Sequence, residues 1–195
     1  FHPLLIWRIS TRLFNRTVGL IAAALTAIYI YFFYYAGGLI TETFYIIGIL
    51  LIFDVSLRIV ADNQALHIAP HWKRWIELGV AIGMTLLLRQ VFLLFLPFLF
   101  LWLWWNVRID EVSPWKHRLH WSATIGLSVS VLMFAAMIIP FTIRNYRAFH
   151  TFVLLNTNAG YAFFWGNHPI YGTNFRPLLP ASGPSSYYEL IPPEL

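Results

Sequence analysis

The sequence predicts an all-α polytopic membrane protein with about five transmembrane helices, followed by an extracytoplasmic loop segment. Hydrophobic residues make up 59% of the 195 residues and charged residues only 11%, whereas soluble domains carry about 25% charged residues. Long uncharged runs recur along the chain, and a helix needs roughly 20 apolar residues to cross a bilayer. The nine Trp and 18% aromatic content are typical of proteins anchored at membrane–water interfaces.

The first span is the uncharged run at residues 17–41, and the second span, 43–60, begins with an uncharged run that ends at Phe53. The break between them is Glu42, and the aromatic run YIYFFYY ends the first span. Asp54 and Arg58 lie near the end of the second span at i,i+4 spacing, which favours an ion pair between them on one helix face.

The next three spans depend on the position of Arg89. In one long helix Arg89 would lie at the bilayer centre, at a cost of about 2.5–3.5 kcal/mol. Two short spans at 75–88 and 91–106 place it instead at a turn near one surface, with Pro97 expected to kink the second. The fifth span is 121–143, which completes a bundle over residues 1–143 and leaves 144–195 as a loop region.

The distribution of positive charge supports five spans and predicts the orientation of the chain in the membrane. Five spans put nine of the thirteen Lys and Arg residues on one side and four on the other. The nine are Arg8, Arg12, Arg16, Arg58, Lys73, Arg74, Arg108, Lys116 and Arg118. The positive-inside rule makes their side cytoplasmic, so residues 1–16 are expected inside the cell and 144–195 outside. The expected location is a bacterial inner membrane.

Several classes of function are disfavoured. With no Cys there is no disulfide or thiolate chemistry, and dispersed basic residues argue against nucleic-acid binding. His150 and His168 have no third ligand at a metal-binding spacing, and no cofactor motif is evident. The chain begins with Phe, ends in a Pro-rich stretch and has no signal-peptide pattern, which indicates a fragment.

Unusual polar residues collect on the outer side of this layout. Arginine binds phosphate bidentately, and aromatic rings with amides suit sugars. The alternatives are structural: a glutamate favoured by a helix N-terminus, arginines at the interface, and asparagines in turns. The candidate substrate-binding residues are Glu42, Arg89, Arg144, Asn145, Tyr146, Asn156, Asn158, Tyr161, Asn167 and His168.

The order of three segments resembles a known family. These are RLFNRTVGLIAAALTAIY with GGLITETFY, then GMTLLLRQVF, then PFTIRNYRAF with NTNAGYAFFWGNHP. Together they resemble polytopic C-type glycosyltransferases of the dolichyl-phosphate-mannose–protein mannosyltransferase and aminoarabinose lipid A transferase type. The most specific part is PFTIRNY at Pro140–Tyr146.

The resemblance implies transfer of a sugar from a polyprenyl-phosphate carrier to a hydroxyl of a lipid, glycan or protein acceptor outside the cell. In that family the catalytic Asp lies in the first outer loop, upstream of the residues present here, so no catalytic residue is assigned. Arg89 and Arg144 would bind the carrier phosphate, Glu42 would position the acceptor or a cationic partner, and the Asn-rich run would face the sugar or acceptor. The sugar, the acceptor, the oligomeric state and metal dependence stay open.

Two other readings compete with the transferase. A transporter or lipid flippase usually shows broken helices in paired repeats and polar groups near the midplane, and the sequence shows neither. A non-catalytic membrane subunit is the second alternative, and upstream sequence lacking an outer-loop Asp would favour it.

Overall fold

The computed structural model describes residues 1–38, 41–66, 72–107 and 116–156. Within these ranges the chain forms seven α-helices and one 3₁₀ helix, and no strand, so the all-α expectation is confirmed. The helices are α1 (His2–Leu13), α2 (Arg16–Ile28), α3 (Ile30–Gly37), α4 (Thr41–Leu66), α5 (Trp72–Leu88), α6 (Leu96–Asn106) and α7 (Lys116–Phe149). The 3₁₀ helix is Gln90–Leu94. The chain divides into two units, Phe1–Leu155 and Asn156–Leu195.

The first expected span, 17–41, is not one helix. Its chain leaves helical geometry at Tyr29, which is extended (φ −72°, ψ 109°), so α2 and α3 are separate. Thr26 donates its hydroxyl hydrogen to the Ala22 carbonyl one turn back, a bond that bends helices. Edge-to-face packing of the Tyr29 and Phe32 rings then covers the break. The apolar run continues across this helix boundary, so hydropathy alone does not predict the boundary.

Helix α1 pairs with α2 in a hairpin and also lies along α4. Gly19 of α2 contacts Thr11 and the Trp7 carbonyl of α1. His2 stacks on Phe32, with ring centroids 4.5 Å apart. Burial and the nearby amino terminus lower the pKa of His2, and a hydrogen bond to the backbone of Thr43 acts in the opposite direction. The five-span layout places residues 1–16 opposite Glu42, whereas His2 lies beside Thr43, next to Glu42.

A buried ion cluster joins α1 to the middle of α4. Asp54 is fully buried and accepts contacts from three guanidiniums, those of Arg58 on its own helix and of Arg8 and Arg12 on α1. The expected Asp54–Arg58 pair is therefore confirmed, but two further partners come from a distant segment. Since α4 continues to Leu66, Asp54 lies midway along the helix rather than near its end.

Helix α5 is the centre of the described bundle. It runs antiparallel to α4, because Gly48 lies against Thr85 whereas Asp62 pairs with Arg74 at 3.6 Å. Gly48 and the facing Thr85 are in close contact, and the Thr85 hydroxyl bonds back to the Ala81 carbonyl at 2.7 Å. Thr85 is fully buried, and this bond within α5 gives its hydroxyl an acceptor, so the hydroxyl needs no partner on α4.

Helix α7 runs parallel to α5 at very close range. Gly79 of α5 lies against Ser130 and Met133, and one turn later Gly83 lies against Met137. A Cβ on Gly79 would lie 2.6 Å from the Ser130 carbonyl oxygen. The Ser130 hydroxyl also donates a hydrogen bond of 2.7 Å to the Trp75 carbonyl. Both helices therefore proceed toward the same end of the bundle, in a register set by small residues.

The structure has a helix boundary at Arg89, where the sequence predicts one. Arg89 is extended (φ −148°, ψ 114°) and precedes the 3₁₀ helix, after which α6 returns antiparallel to α5. The expected kink at Pro97 is absent, because α6 begins at Leu96 and Pro97 occupies its first turn. Proline fits there without loss of a hydrogen bond.

Two helices of the described residues have the length and apolar character needed to cross a membrane. They contain Thr41–Asn63 of α4 and Ala123–Phe149 of α7. The other expected spans do not reach this length, since α5 has 17 residues and α6 has 11. The structure therefore supports a helical membrane protein in this coarse sense, and not the expected count of about five.

We predict that Gly79→Ala lowers stability by about 1–3 kcal/mol, because the new methyl group must displace helix backbone in a close-packed interface. Thermal unfolding of the purified protein in detergent would measure this. Gly37→Ala is the matched control, since a Cβ there meets nothing within 4 Å. An equal effect of the two substitutions would contradict the close α5–α7 packing.

We predict that Asp54→Asn destabilises the protein by about 3–5 kcal/mol, because it leaves three guanidiniums without their buried counter-charge. Asp62→Asn is the control. Asp62 is 41% exposed and makes one described ion pair, with Arg74, so its loss should cost about 1 kcal/mol or less. Urea unfolding of both variants in the same detergent would rank them, and a reversed ranking would contradict the cluster's structural role.

Candidate functional site

An ion pair joins two of the expected site residues at one end of the bundle. Glu42, in the first turn of α4, accepts a hydrogen bond from the Arg89 guanidinium at the end of α5. The Tyr45 ring, one turn along α4, lies under the same guanidinium, 5.9 Å from ring centroid to Cζ. Because α4 begins where α5 ends, residues 47 positions apart in the sequence meet here.

This pair is accessible to solvent. The Arg89 side chain is 45% exposed and that of Glu42 33%. Exposed ion pairs contribute only about 0.2–1 kcal/mol, so Glu42 holds Arg89 weakly. An incoming anion can replace the carboxylate at Arg89, and a cationic or hydroxyl group can then bind Glu42.

The end of α7 forms a second part of this region. The sequence predicts a loop from residue 144, but α7 continues through Phe149, so Arg144, Asn145 and Tyr146 are helical. No helix-breaking residue follows Pro140 within this stretch, and the helix ends only at His150, whose φ is 54°. The side chains of these three consecutive residues therefore point in different directions around α7.

Two polar side chains of α7 hold the chain that returns after the helix. The Asn145 amide donates to the carbonyls of Leu155 at 2.9 Å and Val153 at 3.4 Å. The Thr142 hydroxyl donates to the Leu154 carbonyl at 2.8 Å. Asn145 is buried, and its amide nitrogen is thus committed to backbone carbonyls. Within this structure it positions the returning chain.

Arg144 lies within about one helical turn of the level of Arg89 along the bundle. The parallel register that places Gly83 against Met137, continued to the end of α5 at Leu88, brings that end to Thr142, two residues before Arg144. Arg144 is exposed and has no ion-pair partner in the part of the chain that is described. Two arginines from different helices are therefore available at one end of α5 and α7.

An apolar groove lies along the last turns of α7. Its volume is about 390 Å³. The walls come from Leu93 of the 3₁₀ helix, from α7 residues that include Ala135 and Ile139, and from the returning residues Phe152 and Leu154. Ile143, next to Arg144, also lines it. A ligand with an anionic head and a hydrocarbon tail would match both the arginines and the groove.

The structure brings together only some of the residues expected in the site. Glu42 and Arg89 meet, Arg144 lies within about one helical turn of their level, and Tyr146 is exposed on the last turns of α7. Asn156 is exposed, and the four remaining candidates lie outside the described residues: Asn158, Tyr161, Asn167 and His168.

Sequence reasoning missed Tyr45 and Thr142. Tyr45 was detectable in principle, since it follows Glu42 by three positions on the same helix face. The role of Thr142 depends on where the chain turns back and has no local signal. Among the described residues no group of three or more His, Asp or Glu could hold a metal ion.

No protein-family model, curated protein or solved structure matches this chain. What the site can bind therefore follows from its own chemistry. Two exposed guanidiniums, one partly exposed carboxylate and an apolar groove along the end of α7 are chemically suited to an amphipathic anion.

Proposed function

We propose that this chain is part of an integral-membrane glycosyltransferase that moves a sugar from a polyprenyl-phosphate carrier to an acceptor hydroxyl. The observation that carries the proposal is the presence of two exposed arginines, Arg89 after the end of α5 and Arg144 near the end of α7, together with an apolar groove along the end of α7 that Ile143 lines. The resemblance of PFTIRNY and the preceding segments to C-type glycosyltransferases points to the same reaction.

The two arginines would act on the carrier phosphate. In sugar transfer the phosphate is the leaving group, and its negative charge increases as the glycosidic bond breaks. Fixed guanidiniums that contact it stabilise the transition state more than the ground state. Arg89 becomes available when the phosphate replaces Glu42 as its partner, and the released Glu42 can accept a hydrogen bond from the acceptor hydroxyl.

The groove would bind the first isoprene units of the carrier. Its lining is almost wholly aliphatic and aromatic, and burial contributes about 0.8 kcal/mol for each CH₂ group removed from water. The Thr142 and Asn145 hydrogen bonds hold one wall, the returning segment 153–155, in place. The resemblance implies that the Asn-rich run faces the sugar or the acceptor, and most of that run lies outside the described residues.

The membrane layout belongs to this proposal. Helices α4 to α7 alternate in direction, and α2 with α3 would complete a fifth crossing if the break at Tyr29 lies within the bilayer. Short helices α5 and α6 would cross beside a thinned or tilted region. We place the Arg89 end outside the cell, in a bacterial inner membrane, with the catalytic Asp outside the residues present here.

We predict that Arg144→Ala in the full-length enzyme lowers kcat for sugar transfer by about 10²–10³-fold, the usual effect of removing one group that stabilises developing negative charge. The assay would follow sugar transfer from a polyprenyl-phosphate donor in detergent. Arg147→Ala is the matched control, because Arg147 is equally exposed and basic but lies nearly one turn farther along α7. Equal activity of the two variants would refute the assignment.

We predict that Ala135→Phe raises the KM for the lipid-linked donor about tenfold, because the ring fills the groove and removes burial of roughly two CH₂ groups. A donor with a very short hydrocarbon tail should be affected much less. Ala136→Phe is the control, since Ala136 is exposed and is not among the described residues that line the groove. Identical KM values for both variants would place the carrier elsewhere.

A further inference from the structure

A surplus of positive charge surrounds Asp54. Arg8, Arg12 and Arg58 all contact this one carboxylate, so three positive charges against one negative leave a surplus of two. Arginine stays protonated at any physiological pH, and uncompensated charge in an apolar region is costly. The cluster is therefore stable only if solvent screens this surplus at the exposed guanidiniums or another anion neutralises it.

A groove on α1 opens directly onto this cluster. It has a volume of about 490 Å³ and is lined by Leu4, Trp7, Arg8, Thr11 and Arg12, which share one face of the helix. The side chains of Arg8 and Arg12 are about one-third exposed. Each arginine thus contacts Asp54 and also lines the groove.

The same groove contains hydrogen-bond donors that have no acceptor. The Trp7 indole nitrogen and the Thr11 hydroxyl are buried without a hydrogen-bond partner among the described residues. An indole N–H can only donate, and a buried donor left unpaired costs about 1–3 kcal/mol. None of the described lining residues is acidic. The groove therefore offers positive charge and donors to an acceptor-rich anion.

Both guanidiniums, those of Arg8 and Arg12, are about one-third exposed, so a phosphate group can reach them from the surface of the groove. They contact Asp54 at the middle of α4. A phospholipid would therefore have to place its headgroup at that depth, whereas a soluble phosphate would not.

We infer that the α1 groove binds a phosphate group, supplied by a phospholipid headgroup or by a soluble phosphate. Arg8 and Arg12 would neutralise the phosphate charge, and Trp7 and Thr11 would each donate a hydrogen bond to its oxygens. The groove is separate from the Glu42–Arg89 region, since Asp54 lies midway along α4 whereas Glu42 is in its first turn. The inference does not require sugar transfer.

The test measures lipid binding to the full-length protein in a neutral detergent. Phosphatidylglycerol, diacylglycerol and inorganic phosphate are titrated separately, with binding followed by native mass spectrometry for the lipids and calorimetry for phosphate. We expect phosphatidylglycerol to bind and diacylglycerol, which lacks the phosphate, not to bind. Retention of phosphatidylglycerol in the presence of inorganic phosphate identifies a phospholipid site, whereas displacement by inorganic phosphate identifies a soluble-phosphate site.

Variants of the groove residues test whether the phosphate group binds in the α1 groove. Arg12→Gln should weaken binding about tenfold to a hundredfold, the usual effect of losing a hydrogen bond to a charged group. Because Arg12 also holds Asp54, the double variant Trp7→Phe, Thr11→Val provides an independent test that leaves every ion pair in place. It should weaken binding at least about tenfold.

The control is Arg74→Gln, which removes an arginine that pairs with Asp62 and Glu77 outside the groove and should bind phosphatidylglycerol as the wild type does. Wild-type affinity in the folded Trp7→Phe, Thr11→Val variant would overturn the inference. So would equal binding of diacylglycerol and phosphatidylglycerol.

Discussion

The candidate site depends on how closely α5 and α7 approach each other. Gly79 and Gly83 leave no side chain between the helices, so the Ser130 backbone and the side chain of Met137 come into direct contact with α5. At this distance the two helices cannot slide without a clash, and their register is fixed. That register determines that Arg89 and Arg144, which are far apart in the sequence, lie within about one helical turn of the same level. A looser interface would leave the two arginines without a defined separation.

Most of what the sequence predicted correctly follows from local rules. The helix boundary at Arg89 is predictable because a charge at the centre of a long apolar run is costly in lipid, and the Asp54–Arg58 pair follows from helical spacing. The break at Tyr29 could not be predicted in the same way. It depends on a Thr26 back-bond and on ring packing within a run that is apolar on both sides. Helix α7 extends past residue 143 because Arg144 and Asn145 are compatible with helix, even though polarity there suggested a loop.

Long-range partners were beyond prediction from one sequence. Arg8 and Arg12 were expected only to contribute to the charge of one side, but both contact a carboxylate some forty positions away. Asn145 was expected to bind substrate, which stays a prediction, and its hydrogen bonds to the carbonyls of Val153 and Leu155 were not expected. Residue type limits the chemistry that a side chain can perform. Which polar group it meets depends on tertiary packing, and local spacing does not encode that.

The ion pair between Arg89 and Glu42 differs from the ion cluster around Asp54 in ways that suit different tasks. At Arg89 one guanidinium faces one carboxylate, both are exposed, and the pair can exchange partners at small cost. At Asp54 the carboxylate is fully buried and the guanidiniums outnumber it, so exchange would leave a buried charge uncompensated and is unfavourable. A site that must bind and release an anion in each turnover requires the first arrangement. The second arrangement keeps its own ions in place, and its surplus positive charge favours an additional anion that is exchanged only slowly. The physical difference is therefore in the cost of breaking the existing ion pairs, and it agrees with the turnover proposed for the Glu42–Arg89 end and with the lasting binding inferred for the α1 groove.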